Sequence, residues 1–305
     1  MNEVQQPSIL APRILIPFMI VTLIWGSTWI VIKDQLGIVP PGWSVTYRFL
    51  VAGIVMLGVA LATKVPLRIG WAGQAFAAIF GVAQFMLNFN FVYRAEQHIT
   101  SGLVATVFAL LFVPNAVFAR IFLGQRISSR FIVGSAIGII GLALLFVNEA
   151  RGDAHGRIET LTGIGFTLAG VFSASTANVM QATERARALP MASLLGWGML
   201  WGVLFDASFA YATSGAPVID MRPAYFAGVA YLGIIASALA FSLYFRIVRE
   251  IGPAKAAYSS VLIPVIAMGF STAFEAYHWT FLAAAGATVA LTGLVVALSA
   301  PKPSA

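Results

Sequence analysis

The sequence predicts an all-α integral membrane protein of ten transmembrane helices, arranged as two inverted five-helix repeats. Three observations predict it. Of 305 residues, 60% are hydrophobic and only 10% charged, with a mean hydropathy of +0.90. A soluble domain carries roughly 25% charged residues, so a chain this poor in charge could not cover a water-facing surface. The apolar residues fall in runs of about twenty, the length that crosses a hydrocarbon core of ~30 Å. Landmarks of the first half also recur in the second at a shift of about 150 residues.

The first apolar run, Ile14–Ile32, follows one basic residue, Arg13. It is longer than the core of a signal peptide and has no small-x-small cleavage site at its end, so it reads as a retained helix. Pro40-Pro41-Gly42 precedes the second span, Ser44–Ala62, and the basic stretch Lys64 to Arg68 precedes the third, Gly73–Tyr93. Ser101–Leu123 is the fourth, and Arg126 to Arg130 introduces the fifth, Phe131–Asn148. A polar outer linker, 149–160, then separates a first repeat over 14–148 from a second over 161–299. The second repeat holds Leu161–Ala182, Met191–Thr213, Ala224–Val248, Ala254–Glu275 and Trp279–Ser299. Its breaks are Pro217 to Pro223 and Gly252-Pro253, where Pro and Gly punctuate the chain. Small-xxx-small spacings at Gly134/Gly138 and Gly198/Gly202 let helix backbones approach closely, as ordinary bundle packing requires.

The repeat rests on paired positions. A shift of 150 puts Pro114 on Pro264 and Gln125 on Glu275, while Gly134/Gly141 and Gly286/Gly293 share a spacing of seven. An odd number of helices per half inserts the two halves in opposite orientations, a recurring transporter design with its site at the repeat interface. With the N-terminus inside, twelve Lys and Arg lie on the inner side and six on the outer, which places both termini in the cytoplasm.

Composition also excludes functions. The net charge of +7 is dispersed between apolar runs rather than gathered into a basic stripe, so nucleic acid is not a partner. No Cys is present, so thiolate metal sites and cysteine nucleophiles are ruled out. No buried Ser/His pair, His-rich metal site or paired Asp motif falls in the spans, which argues against an intramembrane enzyme; no cofactor is implied. A channel would show charged rings or a filter loop, and neither appears.

A carrier needs a mid-membrane cavity with a few polar groups to orient its solute. The third helix offers Gln84 and Asn88, four apart on one face, with Phe85 beside them; Asn90 points elsewhere. Thr106 and Asn115 lie in the fourth helix and Ser175 and Asn178, with Ser173, in the sixth. Ser237, Ser242 and Tyr244 lie in the eighth; Tyr258, Ser259 and Ser260 in the ninth. Each can line a pathway or simply bond a neighbouring helix. Trp25 and Trp29 share a face of the first helix and, with Phe85, Phe89 and Phe108, can form a stacking wall or pack against neighbours. Pro114 and Pro264 each remove a backbone hydrogen bond, giving a hinge or a static kink. Arg48, one turn into its helix, is expected to snorkel to the outer interface, with a substrate carboxylate as the alternative partner. Of eleven carboxylates only Asp206 and Glu275 approach a span, and His98, His155 and His278 fall at helix ends or loops. Proton-driven carriers bury a titratable group along the path, so facilitative or exchange transport is expected.

Trp25-Gly26-Ser27 with Lys33 closing the helix resembles the opening signature of the drug/metabolite transporter superfamily, EamA type. Arg48-Phe49 matches its Arg-Phe pair. The run from Tyr93-Arg94-Ala95 through Ser101, Pro114 and Leu123-Gly124-Gln125-Arg126 is similar to its third-to-fifth-helix pattern, with Pro264 and Phe274-Glu275 as the second-half counterpart. Gln125 stands where the family commonly has Glu, and the sixth helix lacks a clean Trp-Gly-Ser copy. The resemblance covers roughly Ile14 to Ser299 and extends in overall pattern to the bacterial aromatic amino acid exporters. It implies a multi-pass carrier of a bacterial inner (plasma) membrane that exports small amphipathic solutes by alternating access, foremost aromatic or neutral amino acids. Its partners would be a small-molecule substrate and the lipid bilayer, and a monomer would suffice. Multidrug or cationic compounds and nucleotide sugars are the alternative cargoes.

Overall fold

A computed structural model describes residues 11–152, 156–274 and 279–298. Among them helix α1 spans Pro12–Gln35, α2 Pro41–Ala62, α3 Gly70–His98, α4 Ser101–Leu123 and α5 Ser129–Gly152. Helix α6 spans Arg157–Ala182, α7 Met191–Ser214, α8 Pro223–Ile251, α9 Ser259–Phe274 and α10 Phe281–Leu298. Helices α1 to α8 are long and apolar enough to cross a membrane, and the chain is a multi-pass membrane protein. Helices α9 and α10, of 16 and 18 residues, carry no charged side chain. No strand occurs among the described residues beyond one isolated bridge, Leu36 to Val39.

Local chemistry sets the boundaries. Pro12, Pro41 and Pro223 stand in the first turns of α1, α2 and α8, where a missing N–H costs nothing. Gly124 ends α4 in the left-handed region at φ 64, the usual helix stop. Four boundaries lie furthest from the sequence expectation. Helix α3 runs five residues past Tyr93, carrying Arg94 and Glu96 inside the span; Glu96 accepts a hydrogen bond from Ser101 Oγ at 3.0 Å. Helix α9 begins at Ser259 rather than Ala254, because Pro253–Ala256 forms a separate single turn. Helix α5 extends to Gly152 and α6 starts at Arg157, so helix takes up part of the stretch read as a linker. His155, Glu275, His278 and Ser299 lie outside the described residues.

Two antiparallel pairs form the sides of the bundle. In the first, α2 runs against α7, with Gly53 beside Leu200 and Gly196 beside Leu57. In the second, α5 crosses α10 so closely that a Cβ on Gly134 or Gly141 would lie 2.4 or 2.3 Å from the backbone nitrogen of Ala297 or Ala290. Between these sides α1 packs on α8 and α9, and α6 packs on α3 and α4. Small residues bring these backbones together because lipid supplies no hydrophobic drive.

Both α3 and α8 widen into π-helical turns, over Val82–Leu87 and Tyr231–Leu239. Such turns are rare and mark functional segments. A carbonyl in each accepts a hydrogen bond from another helix: Ala83 O from Ser173 Oγ of α6 at 2.8 Å, and Ala236 O from Trp25 Nε1 of α1 at 3.1 Å.

Candidate functional site

A single turn of sequence explains how α1 meets the centre of the bundle. Trp25 donates to the π turn of α8, Gly26 lets α9 approach (a Cβ there would lie 2.5 Å from Ile266 Cγ2), and Ser27 Oγ lies 2.6 Å from the Tyr231 hydroxyl. Trp25, with Thr28, Trp29 and Ile32 further along α1, faces a cavity lined by α1, α2, α3, α4, α6, α8 and α9. Its volume is about 80 Å³, room for a handful of water molecules. Pockets for drug-sized ligands are roughly 300–1,000 Å³, so this conformation is constricted and a solute requires its walls to move.

The wall is mainly aromatic and aliphatic: Trp25, Trp29, Phe89, Phe108 and Phe241, with Ile32, Val92, Leu111 and Ile263. Trp25 stands 5.2 Å from Phe241 and 4.9 Å from Tyr244, ring centre to ring centre. Set into it are Thr28, Arg48, Gln84, Asn88, Asn178 and Tyr244. Among the described residues Trp29 Nε1, Gln84 Oε1, Asn88 Oδ1, Arg48 Nη1 and the Tyr244 hydroxyl are buried with no hydrogen-bond partner. Buried polar atoms are nearly always paired, so five open ones on one cavity wall are unusual.

Arg48 corrects the sequence expectation. Its side chain turns inward and is only 1% exposed, rather than snorkelling to the interface. Nε donates to Ser237 Oγ at 2.9 Å, and the guanidinium carbon sits 4.3 Å from the centre of the Phe89 ring and 5.3 Å from that of Phe49. A planar cation stacks well on aromatic faces, and this stacking accommodates Arg48 in the bundle where an interfacial position would have kept it wet.

Of the residues singled out from sequence, Trp25, Trp29, Gln84, Asn88, Asn178 and Tyr244 are brought together at the cavity. Others stand behind it. Phe85 packs against Phe49, Phe80 and Phe241; Ser237 holds Arg48; Asn115 donates to Pro253 O and accepts from Asn178 Nδ2 at 3.4 Å. Thr106 Oγ1 and Ser259 Oγ return to backbone carbonyls of their own neighbourhood, Gly102 and Ala256. Tyr258 is bonded to Ser135 and stacked on Phe112, away from the cavity, and Ser175 is buried outside the lining. Pro114 lies three residues after a 3₁₀ turn, Ala109–Leu111, and Pro264 lies inside α9. Sequence reasoning missed Thr28, Ile32, Val92, Leu111, Ala174, Phe241 and Ile263 on the lining. Most of them had a signal in helical spacing: Thr28 is three after Trp25, Val92 four after Asn88, Leu111 three after Phe108, Ala174 four before Asn178 and Phe241 three before Tyr244.

The buried acids lie elsewhere. Asp206 of α7 is 1% exposed and accepts from Thr46 Oγ1 at 3.0 Å and Asn90 Nδ2 at 2.5 Å, which explains why Asn90 faces away from Asn88. Neither Asp206 nor Glu96 lines the cavity. At the rim, Arg222 bonds Asp220 and reaches Asp34, tying the α7–α8 loop to the end of α1. The backbone N–H and guanidinium of Arg222 hold the Asp220 carboxyl below the usual carboxylate range.

The EamA-like transporter family matches this chain at residues 13–147 and again at 161–299. A probable amino-acid metabolite efflux pump of Salmonella typhimurium is 25% identical over 91% of this chain and 92% of its own length. The inner membrane transporter YedA of Escherichia coli K12 is 29% identical over 82% of this chain and 79% of its own. Protein PagO of Salmonella typhimurium is 24% identical over 48% of each chain. A solved crystal structure superposes with a TM-score of 0.75 at 20% identity, covering 94% of this chain and 97% of that one, and so shares its fold.

Proposed function

The chain belongs to the EamA-like transporter family, and from that premise we propose that it is an alternating-access carrier exporting small amphipathic solutes, foremost neutral and aromatic amino acids. The observation that carries the reading is the constricted central cavity, aromatic in its walls and set with polar atoms that lack partners. Such a site suits a solute with one apolar and one polar end. The efflux-pump and inner-membrane names of the relatives support export across a bacterial inner membrane.

We further propose ten spans in two inverted repeats, 14–148 and 161–299. The family matches twice along the chain. The third helix of each half carries a π turn, and each π turn accepts a bond from the first helix of the other half. Second helix packs on second and fifth on fifth, as a two-fold relation requires. Pro114 and Pro264 occupy equivalent fourth helices and are the proposed hinges.

Facilitative or exchange transport remains the proposed energetics, on a changed ground. Acids are present inside the spans, but Asp206, held by Thr46 and Asn90, and Glu96, held by Ser101 through one oxygen, both stand off the cavity. The test is flux in proteoliposomes across a panel of amino acids, cationic drugs and metabolites, with and without a pH gradient. Saturable movement of at least one neutral or aromatic amino acid, changed less than about twofold by the gradient, is expected; a pH gradient worth ~1.4 kcal/mol per unit would otherwise drive tenfold accumulation. No saturable flux of any solute defeats the reading.

A further inference from the structure

We propose that Arg48 is the specificity-determining residue of this carrier, docking a carboxylate that the solute must therefore possess. The inference rests on the carrier reading above and names the chemistry its site demands. Among the described residues Arg48 is the one Lys or Arg on the cavity wall, and no acid pairs with it. Asp206, on a neighbouring helix, is already held by Thr46 and Asn90, and Glu96 by Ser101. A buried cation without a counter-ion is costly, and an anion entering the cavity removes that cost.

The guanidinium is also aimed for the task. Ser237 fixes Nε and the Phe89 ring supports the plane, while Nη1 is left with no partner in a side chain only 1% exposed. A planar fork with a free donor binds a carboxylate with directional, charge-assisted hydrogen bonds. The open acceptors Gln84 Oε1 and Asn88 Oδ1 on the same lining suit the N–H donors of an amino group. Trp25 and Phe241 leave an apolar wall for the side chain. A cationic amphiphile meets a like charge here, and specificity of this kind comes from the repelled competitor as much as from the accepted solute. A nucleotide diphosphate would bring more than one negative charge to a single cation.

The experiment uses the full chain in proteoliposomes and compares matched pairs: alanine, leucine, phenylalanine and arginine, each against its carboxamide. In the wild type, each transported amino acid is expected to move at least about tenfold faster than its amide, the discrimination lost with one charged hydrogen bond. Arg48→Gln is expected to bring that ratio to about one, and Arg48→Lys to restore part of it. The ratio is internal to each preparation, so a smaller folded fraction does not move it. Thermal stabilisation of the purified protein by the preferred amino acid, and not by sodium phosphate or chloride, is expected in parallel.

Equal flux of acids and amides in the wild type, or an unchanged ratio in Arg48→Gln, overturns the proposal while leaving the carrier intact. So does stabilisation by inorganic phosphate or chloride equal to that by the amino acid. Flux of cationic drugs alone likewise overturns it, and no flux of any solute overturns the carrier reading together with it.

Discussion

Residues of the same type serve different ends according to the helix they meet. Asn88 and Asn90 are two apart on α3; the first opens an unpaired carbonyl onto the cavity and the second clamps Asp206. Asn88→Ala is therefore expected to lower flux about tenfold, the worth of ~1.4 kcal/mol at the barrier. Ser260 bonds the carbonyls of Ala109 and Ala257 away from the lining, so Ser260→Ala should cost about 1 kcal/mol of stability and leave flux per folded molecule within about twofold. Equal transport loss in the two variants, measured at matched expression, would count against the cavity as the pathway. Asp206→Ala leaves the Thr46 hydroxyl and one N–H of the Asn90 amide, whose other N–H goes to Met86 O, buried without an acceptor. It is expected to cost about 2 kcal/mol or more in thermal unfolding, while Asp206→Asn, which keeps an acceptor oxygen, costs less. A larger loss for Asn than for Ala would contradict that account.

At the scale of elements, the α5–α10 crossing is a contact of backbones rather than of side chains. Gly141→Leu must push α10 away from a backbone nitrogen that a Cβ would already meet at 2.3 Å. A destabilisation of about 1–3 kcal/mol is expected, the usual cost of overpacking. Gly138 lies on the same helix, yet a Cβ there has nothing nearer than Phe112 Cζ at 4.0 Å. Gly138→Ala should be neutral or slightly stabilising, since Gly is a poor helix former. Comparison of the two melting temperatures in detergent checks the close approach, and similar temperatures would refute it. The π turns of α3 and α8 belong to this scale too. They free carbonyls that the first helices reach, so the Trp25 and Ser173 side chains act as struts between elements.

For the whole molecule, the expected topology has both termini inside and the α7–α8 loop outside. The absence of Cys makes labelling clean. Ala216→Cys, in the exposed loop after α7, is expected to react with an impermeant maleimide added to intact cells; Ala62→Cys, at the exposed end of α2, is expected to react only after permeabilisation. The reverse pattern would invert the orientation read from the Lys and Arg bias. The latch of Arg222 on Asp220 and Asp34 ties the α7–α8 loop to the end of α1 on this face. With the Asp220 carboxyl held low, its contribution is full above the ordinary carboxylate range and is lost progressively as the pH falls from that range through the lowered folded value.

The sequence by itself determined the membrane class and the place of nearly every long helix, because a bilayer admits only apolar runs of a set length and Pro, Gly and charge end them. It also determined that Gln84 and Asn88 share a face, since helical geometry is local. Tertiary structure alone decided which polar groups meet. Asn115, Tyr258 and Ser259 look as eligible for a pathway as Asn178 and Tyr244, and only the helix opposite each one separates them. Arg48 shows the limit most clearly. Two turns into α2, rather than the one turn expected from sequence, its stem is held in the interior, and the ring of Phe89 together with Ser237 turns it inward. Contacts between distant segments set that choice, and no periodicity within α2 encodes it.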